Sequence, residues 1–145
     1  MDVARKVVIL GRIVGLPLDL SSLPVENIVP KELQALGSAS EFMESLDKFD
    51  GYFAQLNSEA RDEGCVLRCV GVVDPVGGNS SVALKKYPLT HPFASLTGSD
   101  NIIAFTTKRF PSPLLIQGAG AGSSVTAFGM FSDLIQCASI MCQDD

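Results

Sequence analysis

The sequence lacks tryptophan, holds a single histidine, His91, and contains no run of basic residues. Its 145 residues carry a net charge of −5. That balance excludes nucleic-acid binding and docking on anionic membranes, both of which need clustered Lys or Arg. Charged residues make up only 19%, below the usual quarter or so. Long apolar runs are missing too. Val7-Val8-Ile9-Leu10 stops after about four residues, where a span needs roughly twenty, so no membrane span is expected. No C-x-x-C pair accompanies the lone histidine, and no metal site is expected. Nor is there a charged-then-apolar leader, since Met1 is followed directly by Asp2, Arg5 and Lys6. An intracellular protein is the expectation, with Cys65, Cys69, Cys137 and Cys142 as reduced thiols.

What is present is apolar material. Hydrophobic residues make up 46% and the mean hydropathy is +0.28, enough to offset chain entropy and oppose disorder. The chain opens inside a helix, Asp2 to about Val14, which Gly15 and Pro17 end. Val3, Val7, Leu10 and Val14 share one arc of it, and Ile9 and Ile13 form a second stripe alongside Asp2 and Lys6. Apolar surface nearly all round predicts burial on more than one side. Leu18 to Leu36 reads as irregular, with a short strand at Val25–Val29 between Pro24 and Pro30. Ser38-Ala39-Ser40-Glu41 is a capping box, opening a helix to about Glu63 that Gly51 loosens midway and Gly64 stops. Phe42, Leu46, Phe49, Phe53 and Leu56 form its apolar stripe.

Residues 65–73 and 81–87 read as a hairpin around Pro75–Asn79. Residues 90–99 form a loop. Two further strands follow, at 101–107 and 114–117. The segment Gly118-Ala119-Gly120-Ala121-Gly122 then leads into a closing helix from about Ser123 to Ala138. Helices followed by hairpins give an α+β fold, a mixed or antiparallel sheet with helices packed on one face.

Three features could carry chemistry. Asp2 and Lys6, four apart on a helix, face the same way. They make either a surface ion pair or, with Lys6 partly desolvated beside Ile9 and Ile13, a general acid. The glycine ribbon between strand and helix is either a tight turn or a backbone surface that a ligand approaches closely; it lacks the full G-x-G-x-x-G fingerprint. His91, before Pro92, is either a turn residue or a catalyst, and no G-x-S-x-G elbow accompanies it.

Several blocks together carry a resemblance. Asp2-Val3-Ala4-Arg5-Lys6-Val7-Val8-Ile9-Leu10 is similar to the D-V-A-R-K-x-x-I-L signature of homoserine dehydrogenases. Val66-Leu67-Arg68, His91-Pro92-Phe93-Ala94-Ser95-Leu96, Gly98-Ser99-Asp100-Asn101, Ile116 to Gly122 and Val125-Thr126-Ala127 follow in the family's order. The resemblance implies NAD- or NADP-dependent interconversion of L-homoserine and L-aspartate 4-semialdehyde, on the route to threonine, methionine and isoleucine. It implies Lys6 as proton donor, Asp2 as a substrate-binding carboxylate and Gly122 as a backbone contact to the cofactor. It implies a truncated substrate domain over 1–117, then a glycine-rich turn and a C-terminal helix over 118–145 that packs on the nucleotide-binding domain. It also implies a homodimer, or a dimer with a full-length subunit, in cytoplasm or plastid. The family's Rossmann domain, its metal-binding segment and its acidic E-P-D-P-x-x-D stretch would lie upstream of Met1. A fragment with little or no activity alone is therefore expected, and a non-catalytic chain that regulates a full-length subunit is the alternative.

Overall fold

A computed structural model describes residues 1–142. The chain divides into two compact units, Met1–Ala94 and Ser95–Asp145. The class is α+β, with the strands shared between two separate two-stranded antiparallel sheets.

The first unit begins with α1 (Asp2–Ile13). Its end is a Schellman turn: Gly15 N–H donates to the Arg12 carbonyl and Leu16 N–H to the Gly11 carbonyl, with Gly15 at φ 89°. A short α2 (Lys31–Gln34) and then α3 (Ala39–Leu46) follow. Ser38 Oγ accepts the Glu41 amide at 3.2 Å, and Glu41 Oε2 accepts from Gly37 N–H, one residue ahead of the cap. The long helix expected here breaks into a 3₁₀ turn at Asp47–Phe49 before α4 (Asp50–Asp62). Asp50 suits a new N-terminal turn and Gly51 propagates a helix poorly, so the chain restarts just ahead of them. Phe42, Leu46, Phe49, Phe53 and Leu56 nevertheless stay half-buried along one side.

Strands β1 (Cys65–Val72) and β2 (Ser81–Pro88) pair from Cys65 opposite Pro88 to Val72 opposite Ser81. The turn between them is organised by Asp74, whose Oδ1 accepts the amides of Val76 and Gly77. Those amide hydrogen bonds, Gly77's foremost, hold the Asp74 carboxyl below its ordinary range. The strand expected at Val25–Val29 shrinks to one parallel bridge between Val25 and Val82. Prolines close both its ends, and Asn27 Oδ1 takes the Val29 amide that a ladder would use.

The core of this unit is Ala4, Val7, Val8, Leu23 and Val82, with Val3, Leu18 and Val73 against it. The buried face of α1 is therefore Ala4, Val7, Val8 and Gly11, turned by about 80° from the Val3–Val7–Leu10–Val14 arc at 100° per residue. Small residues explain the turn. Ala4 and Gly11 let the helix sit close, and Leu18 fills the space where a Gly11 Cβ would be. α1 packs on the hairpin, and α4 packs on β1.

The second unit contains β3 (Asp100–Phe105) paired with β4 (Leu114–Ala119), then α5 (Ser123–Met141). No described residue of β4 or α5 is buried. The most apolar 18-residue window of α5 reaches a mean hydropathy of 1.2, and by length and composition alone the helix could cross a membrane. It carries Asp133 in its middle, and a charge at a bilayer centre costs about 2.5–3.5 kcal/mol on insertion scales. Positions 143–145, the end of the expected C-terminal segment, lie outside the described residues.

A close seat beside the core is Gly71 of β1, itself exposed. A Cβ there would run into Val7 Cγ2 and reach Val3 Cγ1 at 3.1 Å. Gly71→Ala is expected to destabilise the chain by about 1–3 kcal/mol through overpacking, with Val7→Ala restoring part of the loss in the double variant. A thermal melt of the three variants checks this. Additive losses would contradict it.

Candidate active site

α1 is amphipathic in an unusual sense. At 100° per residue Asp2, Lys6, Ile9 and Ile13 fall within about 60° of one another, roughly opposite the buried Ala4–Val7–Val8–Gly11 face. The helix thus meets its own unit on one side only, and its second apolar stripe stands open: Ile9 and Ile13 are both exposed. Burial on more than one side, expected from the sequence, does not occur among the described residues.

Lys6 Nζ lies 2.9 Å from Asp2 Oδ2, with the side chains 57% and 73% exposed. The structure brings the two predicted residues together but corrects the expectation of a half-dry lysine. The ammonium projects away from the core, and no described part of its unit covers it. The hydrogen bond from Lys6, then its charge, holds the Asp2 carboxyl below the ordinary carboxylate value. What this arrangement offers is an ammonium and an ionised carboxylate side by side on an apolar stripe. One can stabilise charge growing on an oxygen, and the other can accept hydrogen bonds from hydroxyl or ammonium groups.

Gly122, the third predicted residue, belongs to the second unit. It caps α5 at φ 131°, ψ 154°, a conformation that excludes a side chain. Its carbonyl receives the Thr126 amide and hydroxyl. No side chain caps the helix at Gly122.

His91 takes the structural role. Its Nδ1 accepts the Phe93 amide at 3.1 Å, and its ring sits 4.5 Å from that of Tyr87 and 4.7 Å from that of Phe93. Burial raises the Tyr87 hydroxyl above its ordinary pKa. Arg68 was not singled out from the sequence. Its Nε and Nη2 donate to the carbonyls of Phe93 and Ala94, pinning the turn that carries His91. The available signal was a lone arginine in an otherwise apolar strand.

Two grooves of about 610 Å³ indent the first unit. One lies beside Ala60, Cys65 and Arg68, and the other beside Val25, Pro30 and Tyr52. Neither is lined by Asp2 or Lys6.

Residues 1–135 match the family model described as homoserine dehydrogenase. The chain is 57% identical, over 94% of its length, to the chloroplastic bifunctional aspartokinase/homoserine dehydrogenase 1 of Arabidopsis thaliana. It is 49% identical, over 95% of its length, to homoserine dehydrogenase of Saccharomyces cerevisiae. It also resembles a crystal structure of a Candida auris protein titled as of unknown function, with a TM-score of 0.81 and 46% identity over 94% of this chain and 38% of that one. The chain spans 15% of the plant relative and 39% of the yeast relative. On the family match and these identities together, the chain belongs to the homoserine dehydrogenase family.

Proposed function

We propose that this chain is the catalytic part of a homoserine dehydrogenase, serving the NAD- or NADP-dependent interconversion of L-homoserine and L-aspartate 4-semialdehyde within threonine, methionine and isoleucine biosynthesis. The observation that carries the reading is the Asp2–Lys6 pair on the open stripe of α1, inside a chain that matches the family over residues 1–135. In the reducing direction the Lys6 ammonium stabilises the charge developing on the substrate's carbonyl oxygen and then gives it a proton. In the oxidising direction the amine takes the hydroxyl proton back. Asp2, kept ionised by Lys6, accepts hydrogen bonds from the substrate and so orients it. The Gly122 backbone meets the cofactor, which when bound supplies or accepts the hydride.

In this reading the open Ile9–Ile13 stripe is completed by the rest of the enzyme, which desolvates Lys6. Residues 1–117 are the substrate domain and 118–145 the glycine-rich turn and closing helix, in an intracellular protein of cytoplasm or plastid. A complete enzyme carrying this segment can be built by replacing the matching stretch of the yeast relative. It is expected to oxidise homoserine, and Lys6→Met to lower turnover about 10²- to 10⁴-fold with an unchanged melt. The 145-residue chain alone is expected to turn over no faster than that variant, since positioning by the remainder is lost. A Lys6→Met enzyme at parental rate would overturn the mechanism.

The ion pair has its own signature. Asp2 is depressed by a partner, so the pair contributes above the carboxyl's unfolded pKa and fades as pH falls through the lower folded value. In Lys6→Met the Asp2 midpoint is expected to climb toward 3.8, read by carboxyl NMR titration. An unmoved midpoint would contradict the pairing.

A second reading rests on the open apolar faces of the second unit, where Ile103, Phe105, Leu114, Leu115 and Ile116 of the hairpin are exposed together with Phe128, Phe131 and Leu134 of α5. A chain of this length could dimerise with a full-length subunit and regulate it. Mixing the two and measuring mass and activity tests this: a mixed dimer of altered activity is the expected result, and separate species would dismiss it.

A further inference from the structure

The glycines of the 118–122 ribbon are there for different physical reasons. At Gly118 an added Cβ would meet open space, and at Gly122 the backbone sits at φ 131°. At Gly120 the obstacle is one side chain. A Cβ there would land on the carboxamide of Asn101, touching its Nδ2 and Cγ and lying 3.4 Å from its Cβ. Asn101 stands opposite Gly118 in the β3–β4 register, so Gly120 is its diagonal neighbour across the pair. The Ser99 carbonyl ties both groups down: it accepts the Gly120 amide at 3.2 Å and, by a longer bond of 3.5 Å, the Asn101 carboxamide. The carboxamide therefore fills the place of a residue-120 side chain while sharing that residue's backbone anchor. Asn101 is exposed, so it is not there to fill a core.

We propose that Asn101 is a positioning residue for the dinucleotide cofactor: its carboxamide lies against Gly120 and fixes the path of the backbone from Ala119 to Gly122. This rests on the reading that the Gly122 backbone meets the cofactor. Truncating Asn101 frees the ribbon without touching substrate. A methyl at Gly120 displaces the carboxamide from its place against the ribbon, and that clash vanishes when the carboxamide is removed as well.

The test uses the complete enzyme carrying this segment. Asn101→Ala is expected to raise the cofactor KM about threefold to tenfold, leaving kcat and the homoserine KM within about twofold. Gly120→Ala is expected to raise the cofactor KM more than about tenfold. The Gly120→Ala/Asn101→Gly double variant is expected to fall below Gly120→Ala alone. The proposal is overturned if Asn101→Ala leaves the cofactor KM unchanged, if both KM values rise together, or if the double variant is no better than Gly120→Ala. Should Gly120→Ala fail to fold, the split between the two KM values in Asn101→Ala decides alone. A parental enzyme with no homoserine turnover would remove the proposed function, and this inference with it. An active parent with a silent Asn101→Ala would remove this inference only.

Discussion

The seating of α1 against β1 is the contact on which the first unit depends. Val7 and Val3 occupy the space that any side chain at position 71 would need. Gly71 in the strand, with Ala4 and Gly11 on the helix, brings the two backbones close and buries Val7, Val8 and Val82 together. Interiors are packed to crystal density, so such a seat has one rotational setting. Once that setting is chosen, the outward direction of the opposite stripe follows. Asp2, Lys6, Ile9 and Ile13 face outward because Ala4, Val7, Val8 and Gly11 face in.

The two units differ in how far they satisfy their own apolar residues. The first has a small core, while the described strands and helix of the second leave large side chains such as Phe128, Met130 and Leu134 to solvent. The chain is 46% hydrophobic and spans 39% of a yeast relative. Exposed patches of this kind mark interaction faces. The same reasoning connects the open stripe of α1 with the exposure of Lys6.

Local chemistry was legible from the residues and long-range packing was not. The Gly15 stop, the Ser38 cap, the Pro75–Asn79 turn and the hairpin around it each follow from side chains within a few positions of one another. The buried face of α1 was misjudged because periodicity counts large apolar residues, whereas close approach is governed by small ones. The break at Asp47–Phe49 arose from Asp50 and Gly51 restarting the helix, and the collapse of the Val25–Val29 strand to a single bridge from flanking prolines and the Asn27–Val29 hydrogen bond, all of which periodicity ignores. In the candidate site, the i, i+4 spacing of Asp2 and Lys6 was readable, but its exposure was not, since that depends on which face of α1 the fold buries. The Asn101–Gly120 contact depends on strand register, which single residues do not announce.

The single imidazole has a further meaning. The ring nitrogen Nδ1 at position 91 is taken up by the Phe93 amide. Tyr87, tilted at 40°, and Phe93, edge-on at 78°, form a wedge against the ring. A phenyl group would fill the wedge equally well and strand the amide beneath it. An asparagine would answer the amide and leave the gap empty. Imidazole meets both demands at once, which accounts for its presence at this bend without assigning it any part in proton traffic.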